Sequence, residues 1–338
     1  MPVMRRVGSA GRAFAAACAL SGCQLWQAPL PDPECADVPI DVEHELLATG
    51  AWLRSDDRVR NANDGALGFS ARLSGYDASA LFDLVGSPLT GRTSDAPFRL
   101  LALVNRTDLA EQLAPESPAG EARLVYTLTA GRGDDPAAPA LPFTAIFEYT
   151  LGSTESVADW ARAFHAVHGA DDAVALAARF TKPQAIPGGP HLAQVRVNDA
   201  RSGASELYEL APNEQGVLVA RGLRNTPRPE LAGTPKLAAF LTQHAADISV
   251  GQQRVPQAWL ATATALQEVP WLPSAPQLEH DFARGTCGGC HGNEGPGQAG
   301  FHLRQIENGD VEQSPFLKSE ELPRRARVMR QRLCEPSE

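Results

Sequence analysis

No apolar run in this chain approaches the roughly 18 residues that a helix needs to cross a bilayer; Leu100-Leu101-Ala102-Leu103-Val104 is typical of those present. A membrane-spanning helix is therefore not expected. Motifs of common enzyme classes are missing as well. There is no G-x-S-x-G, no H-E-x-x-H and no P-loop, so the nucleophile elbow, the two-histidine zinc helix and the phosphate cradle have no support. Residues 295–300 fit G-x-G-x-x-G by letter, but they contain Pro296 and follow no strand, which excludes a dinucleotide fingerprint. No internal repeat is evident. Basic residues are the minority: 30 Lys and Arg stand against 40 Asp and Glu, a net charge of −10. An acidic surface repels phosphate backbones and argues against a nucleic-acid partner. With 43% hydrophobic residues and five Trp the chain can build a core, and 29 Gly and 27 Pro imply many turns.

The first twelve residues hold no acid but carry Arg5, Arg6 and Arg12. A short apolar run, residues 13–20, follows and leads into Leu20-Ser21-Gly22-Cys23. A basic head, a short apolar middle and small residues at the cut describe an export signal. The ending matches a lipobox, in which the cysteine is acylated and becomes the first mature residue. The competing reading is an ordinary secreted protein with a chance cysteine; register of all three parts favours lipidation at Cys23. Arg5-Arg6 fits twin-arginine export poorly. Acyl chains contribute about 0.8 kcal/mol per buried CH₂, so several on one cysteine anchor a protein firmly. Gln24, where Asp would signal inner-membrane retention, points to a cell-envelope protein of the outer membrane. Cleavage would leave 316 residues and move the net charge from −10 to about −13.

Six cysteines are present. Cys18 leaves with the leader and Cys23 takes the lipid. Cys35, Cys287, Cys290 and Cys334 remain in an oxidising compartment, where disulfides are expected. Four cysteines allow three pairings. Spacing isolates one close pair, Cys287 and Cys290, and one remote pair, Cys35 and Cys334.

The strongest chemical signal is Cys287-Gly288-Gly289-Cys290-His291. C-x-x-C-H is the attachment sequence of c-type haem. Two thiols three residues apart reach the two vinyl groups, and the adjacent His291 presents its imidazole to the iron. Gly288 and Gly289 remove side chains from the crowded turn. Three other readings compete: a simple disulfide, a zinc site with His291 and a further His such as His280 or His302, and a thioredoxin-like dithiol, which the missing βαβ pattern disfavours. A haem would need a second axial ligand. His302, Met329 and His280 are the candidates, and His302 is preferred because Phe301-His302 follows a glycine-rich loop. His165 and His168, three apart on one expected helix, read as ordinary helix residues.

Residues 24–39 hold Pro29, Pro31, Pro33 and Pro39 and read as an extended tether. Residues 42–53 suggest a helix. Residues 98–104, 122–129 and 142–151 read as strands, with a turn at 131–136. Ser153 opens a helix in which residues 156–168 place Val157, Trp160, Ala161, Phe164 and Val167 on one face, and a second helix covers 171–180. Residues 192–197, 206–210 and 216–220 return to strand, and two helices are expected over 235–266. Strands in runs followed by helices predict an α+β fold with a largely antiparallel sheet. The expected organisation is a leader over 1–22, a tether over 23–39, the α+β domain over 40–270 and a small C-x-x-C-H segment over 280–338.

Several blocks carry a resemblance. Residues 98–109 (F-R-L-L-A-L-V-N-R-T-D-L), 141–149 (L-P-F-T-A-I-F-E-Y) and 159–162 (D-W-A-R), with His280-Asp281-Phe282 through Cys287-Gly288-Gly289-Cys290-His291-Gly292 and Phe301-His302, resemble a group of largely myxobacterial extracytoplasmic lipoproteins. The similarity spans most of residues 95–302. It implies an extracytoplasmic lipoprotein with a cytochrome c-like segment and carries no activity with it. The sequence thus leads to a lipid-anchored protein with one haem c, acting in electron transfer or redox sensing with a redox partner protein. The alternative is a non-catalytic envelope module whose Cys/His cluster is a structural disulfide or binds zinc. A haem peroxidase lacks an identifiable acid–base residue.

Overall fold

The computed structural model describes residues 38–53, 67–86, 97–113, 117–131, 133, 135, 137–181, 189–203, 205–249, 253–265, 271–287, 302–305 and 311–335. The fold is α+β, built on an antiparallel sheet. Among the described residues the strands are β1 (Leu47–Thr49), β2 (Phe98–Arg106), β3 (Glu121–Thr129), β4 (Ala140–Thr150), β5 (His191–Asp199), β6 (Glu206–Pro212), β7 (Leu218–Ala220) and β8 (Ala263–Ala265). They lie side by side in chain order from β1 to β7, and β8 joins the far half of β6. β9 (Leu303–Gln305) and β10 (Val311–Gln313) form a separate hairpin ladder. The longer helices are α1 (Ser79–Val85), α2 (Val157–His165), α3 (Ala170–Phe180), α4 (Pro235–Gln243), α5 (Pro276–Arg284) and α6 (Leu322–Leu333).

Strand alternation sorts the residues. Cross-strand partners Leu103–Leu124–Phe147–Val195–Leu210 fall on one face, as do Leu100–Tyr126–Ala145–Val197. These side chains are buried in one large core with Trp160 and Phe164 of α2 and Phe180 of α3. Phe69 stacks on Phe98 at 3.7 Å and meets Tyr126 and Phe147 edge-on at 5.4 Å. The Tyr126 hydroxyl donates to the Leu67 carbonyl at 2.8 Å, which satisfies its one polar atom inside the core.

Helix α2 starts three residues later than the Ser153 opening that the sequence suggests, because Ser156 and Asp159 cap it. Ser156 Oγ accepts from the Asp159 amide at 3.1 Å, and the Asp159 carboxylate accepts from the Ser156 amide at 3.3 Å, a closed capping box. His165 of α2 bonds Glu45 at 2.7 Å, an ordinary structural partner. Two stretches depart from expectation. Residues 42–53 are not one helix: a π-helical turn over Val42–Leu46 gives way to β1, which pairs with β2, before Gly50–Leu53 turns helically. Satisfying the backbone groups along the β2 edge outweighs the local helical pattern. Residues 235–266 hold α4 and a short helix, Ala245–Ser249, but end in β8, recruited by β6.

The C-terminal stretch divides between two cores. Phe282 of α5 is fully buried with Leu237, Leu241, Ile248, Val255, Trp271 and Leu272 in a second, smaller core. Leu303, Leu317, Leu322, Ala326 and Met329 instead belong to the main core. Alone these residues are too few for an independent core; shared with the sheet and with α4, they bury well.

Candidate functional site

The opposite face of the sheet carries charge where apolar residues or solvent would be expected. Register aligns Arg123 on β3 with Glu148 on β4, Glu148 with Gln194 on β5, and Arg196 on β5 with Glu209 on β6. Arg123 pairs with Glu121 at 2.7 Å and with Glu148 at 3.2 Å. Arg196 lies 3.5 Å from Glu148 and 3.8 Å from Glu209. Arg224, beyond β7, reaches Glu121 at 3.7 Å, and Gln194 donates to Glu148. Glu121, Glu148 and Glu209 are all buried, Glu148 completely. Such charges survive burial only because each is paired.

The electrostatics follow from this. Burial alone would raise the Glu148 carboxyl, but Arg123, Arg196 and Arg224 outweigh it and bring the pKa down to about 2. For Arg196, burial pulls the guanidinium toward its neutral form; Glu148, Glu209, Cys287 and Glu121 together reverse that and hold the proton more firmly. Cys287 therefore lies within electrostatic reach of this belt.

Cys287 follows α5 immediately after Gly285 and Thr286. Its amide donates to the Thr226 hydroxyl at 2.9 Å, and its thiol faces the Arg224 carbonyl at 3.9 Å. The side chain packs partly buried against Leu207, Leu223 and Ala261. Cys23, Cys290 and His291 lie outside the described residues. His302 opens β9; its carbonyl accepts from the Ser314 amide at 2.9 Å and its ring lies 5.9 Å from that of Phe316. β9 packs against β2, whereas Cys287 lies against β6. The two strands are four spacings apart, about 19 Å at about 4.8 Å each, so His302 is not brought beside Cys287. Met329 is also on the β2 side, buried on α6 with Asn105 Nδ2 donating to its sulfur at 3.6 Å. His280 is exposed on α5, the helix that leads to Cys287. Among the described residues no three His, Cys, Asp or Glu side chains gather as a metal site would need.

A second charged group ties α6 to the end of β2. Asp108 lies between Arg106, at 2.9 Å, and Arg324, while Glu321 takes Arg324 at 2.9 Å and Arg325 at 3.0 Å. Burial would raise the Asp108 carboxyl, but Arg106, Arg324 and Arg325 hold it well below the usual carboxylate range. Arg325 goes the other way, lowered to about 10 by burial and by repulsion from Arg106. Cys334, just past α6, is disulfide-bonded. Its expected partner, Cys35, is outside the described residues, but Arg330 on α6 donates to the Val38 carbonyl at 3.0 Å, so the start of the described chain runs beside this helix.

Sequence reasoning missed the belt of Glu121, Arg123, Glu148, Arg196, Glu209 and Arg224. A faint signal existed: β3 to β6 each set a charged residue, Arg123, Glu148, Arg196 and Glu209, between apolar neighbours. No known family model, curated protein or solved structure matches the chain. Among the described residues no helix is long and apolar enough to cross a membrane.

Proposed function

We propose that this chain is a lipid-anchored protein of the bacterial envelope that carries one c-type haem and serves electron transfer or redox sensing. Cys287 and Cys290 would hold the porphyrin through thioethers, and His291 would bind the iron. When bound, the haem supplies a one-electron redox centre. The observation that carries the reading is the Cys287-Gly288-Gly289-Cys290-His291 sequence, which begins just past helix α5 where the Cys287 amide is held by Thr226. The surroundings of Cys287 fit a porphyrin edge. Leu207, Leu223 and Ala261 offer an apolar contact, and the neighbouring charges are already paired, so none need be neutralised by the cofactor. Arg196, within electrostatic reach of Cys287, would add positive charge near the point of attachment.

Expression together with a cytochrome c maturation system tests this. The reduced protein is expected to show the visible α-band of haem c and to keep its haem through acid–acetone extraction, while Cys287→Ser with Cys290→Ser loses all covalent haem. Correctly matured wild type without haem but with stoichiometric zinc would replace electron transfer by a structural metal site.

The anchor is proposed at Cys23, and Cys35 is proposed as the partner of Cys334. Both are read in one experiment. Mass mapping of the membrane-extracted protein without reduction is expected to find an acylated N-terminal Cys23 and a peptide joining Cys35 to Cys334. Cys23→Ser should leave the membrane fraction. Retention of that variant in membranes would remove the lipid anchor, and Cys35 joined to Cys287 would remove the pairing.

A further inference from the structure

We infer that the turn over residues 223–226 is a cradle for Cys287, with Thr226 as the positioning residue that sets this attachment point; this rests on the haem reading above. The turn is fixed on every side. The Leu223 amide donates to the Ala261 carbonyl at 2.7 Å, the Ala261 amide returns to the Thr226 carbonyl at 2.9 Å, and the Thr226 amide closes the turn on Leu223 at 3.1 Å. Buried Glu209 reaches out of β6 and accepts from the Arg224 amide at 2.8 Å. That bond clamps the Arg224 peptide against the sheet.

Asn225 has φ of 55°, the one positive value for a non-glycine among the described residues. Asn tolerates the left-handed region better than most residues, yet such a conformation persists only where its surroundings impose it. Its consequence here is geometric. The chain reverses so that the Arg224 carbonyl and the Thr226 hydroxyl both point at the end of α5. The Thr226 hydroxyl donates to the Arg224 carbonyl at 3.2 Å and accepts from the Cys287 amide at 2.9 Å, while the Cys287 thiol faces the same carbonyl. Thr226 is almost fully buried, so water cannot replace it. The line Glu209, Arg224, Thr226, Cys287 thus couples the charged face of the sheet to the first attachment cysteine. In a haem-loaded protein Thr226 would hold Cys287 in place as an attachment residue, and the paired charges of Arg196 and Glu209 would contribute to the field that tunes the haem.

The matured full-length protein tests this with Thr226→Val, which keeps the shape and removes the hydroxyl, and Thr226→Ser, which restores it. Thr226→Val is expected to speed hydrogen exchange at the Cys287 amide about five-fold, the loss of one ordinary hydrogen bond, and to shift the haem midpoint potential; Thr226→Ser returns both to wild-type values. Wild-type exchange and potential in Thr226→Val would overturn the cradle. If matured wild type carries no haem, the functional reading fails separately. Exchange then decides the cradle alone: faster exchange that Ser reverses upholds Thr226 as the group placing Cys287, and unchanged exchange removes it.

Discussion

Glu148→Ala is expected to lower the unfolding free energy by about 3–5 kcal/mol, the usual cost of breaking a buried ion pair from one side. Glu148 has no exposure to solvent and stands between Arg123 and Arg196. Its removal leaves both guanidinium groups inside with weaker compensation: Arg123 keeps Glu121, but Arg196 keeps only the longer contact of 3.8 Å to Glu209. Gln194 also loses its acceptor. The remaining cations, rather than the missing attraction, carry most of the cost. A double variant, Glu148→Ala with Arg196→Met, should therefore recover part of the loss. Urea unfolding with an unchanged m-value measures both. A loss below about 1 kcal/mol for the single variant would mean that water reaches this face and screens it.

Acid is expected to remove a comparable amount through the same residue. Glu148 titrates near 4.5 when unfolded and at about 2 when folded. A depressed carboxylate stabilises the fold fully above its unfolded pKa. That contribution drains as pH falls from about 4.5 to about 2, where the folded protein finally takes the proton, and amounts to on the order of 3 kcal/mol. Asp108 and Glu321, both held low by Arg106, Arg324 and Arg325 against the effect of burial, act with the same sign at α6. Urea midpoints measured at descending pH should fall through this window, and Glu148→Gln should flatten part of the fall. A wild-type midpoint that stays level down to about pH 3 would contradict the pairing.

Strong local patterns survived into the fold. The strand read over residues 98–104, which runs on to Arg106, and the apolar face of the helix over Val157–His165 could be read from residues a few positions apart, because strand and helix periodicity are local physics, whereas the cap falls at Ser156 and not at Ser153. Leu47–Thr49 and Ala263–Ala265 could not. Each is a short strand created by a partner far away in the chain, β2 in one case and β6 in the other. The C-x-x-C-H spacing that begins at Cys287 was legible in the sequence, whereas Glu209 and Thr226, which brace the turn against Cys287, looked like ordinary strand and loop residues.

By itself the sequence determined the C-x-x-C-H spacing, the acidic balance and the α+β class, since each depends on residue type and near-neighbour spacing. Only the tertiary structure decided that six charges from four strands and a loop meet on one buried face, that His302 and Met329 lie with β2 while Cys287 lies with β6, and that the C-terminal stretch splits between two cores. The reason is register. Side chains alternate with a period of two, so a shift of one residue between neighbouring strands would turn Arg123, Glu148 and Arg196 away from one another. That shift is set by the apolar face, where Leu124, Phe147 and Val195 must meet.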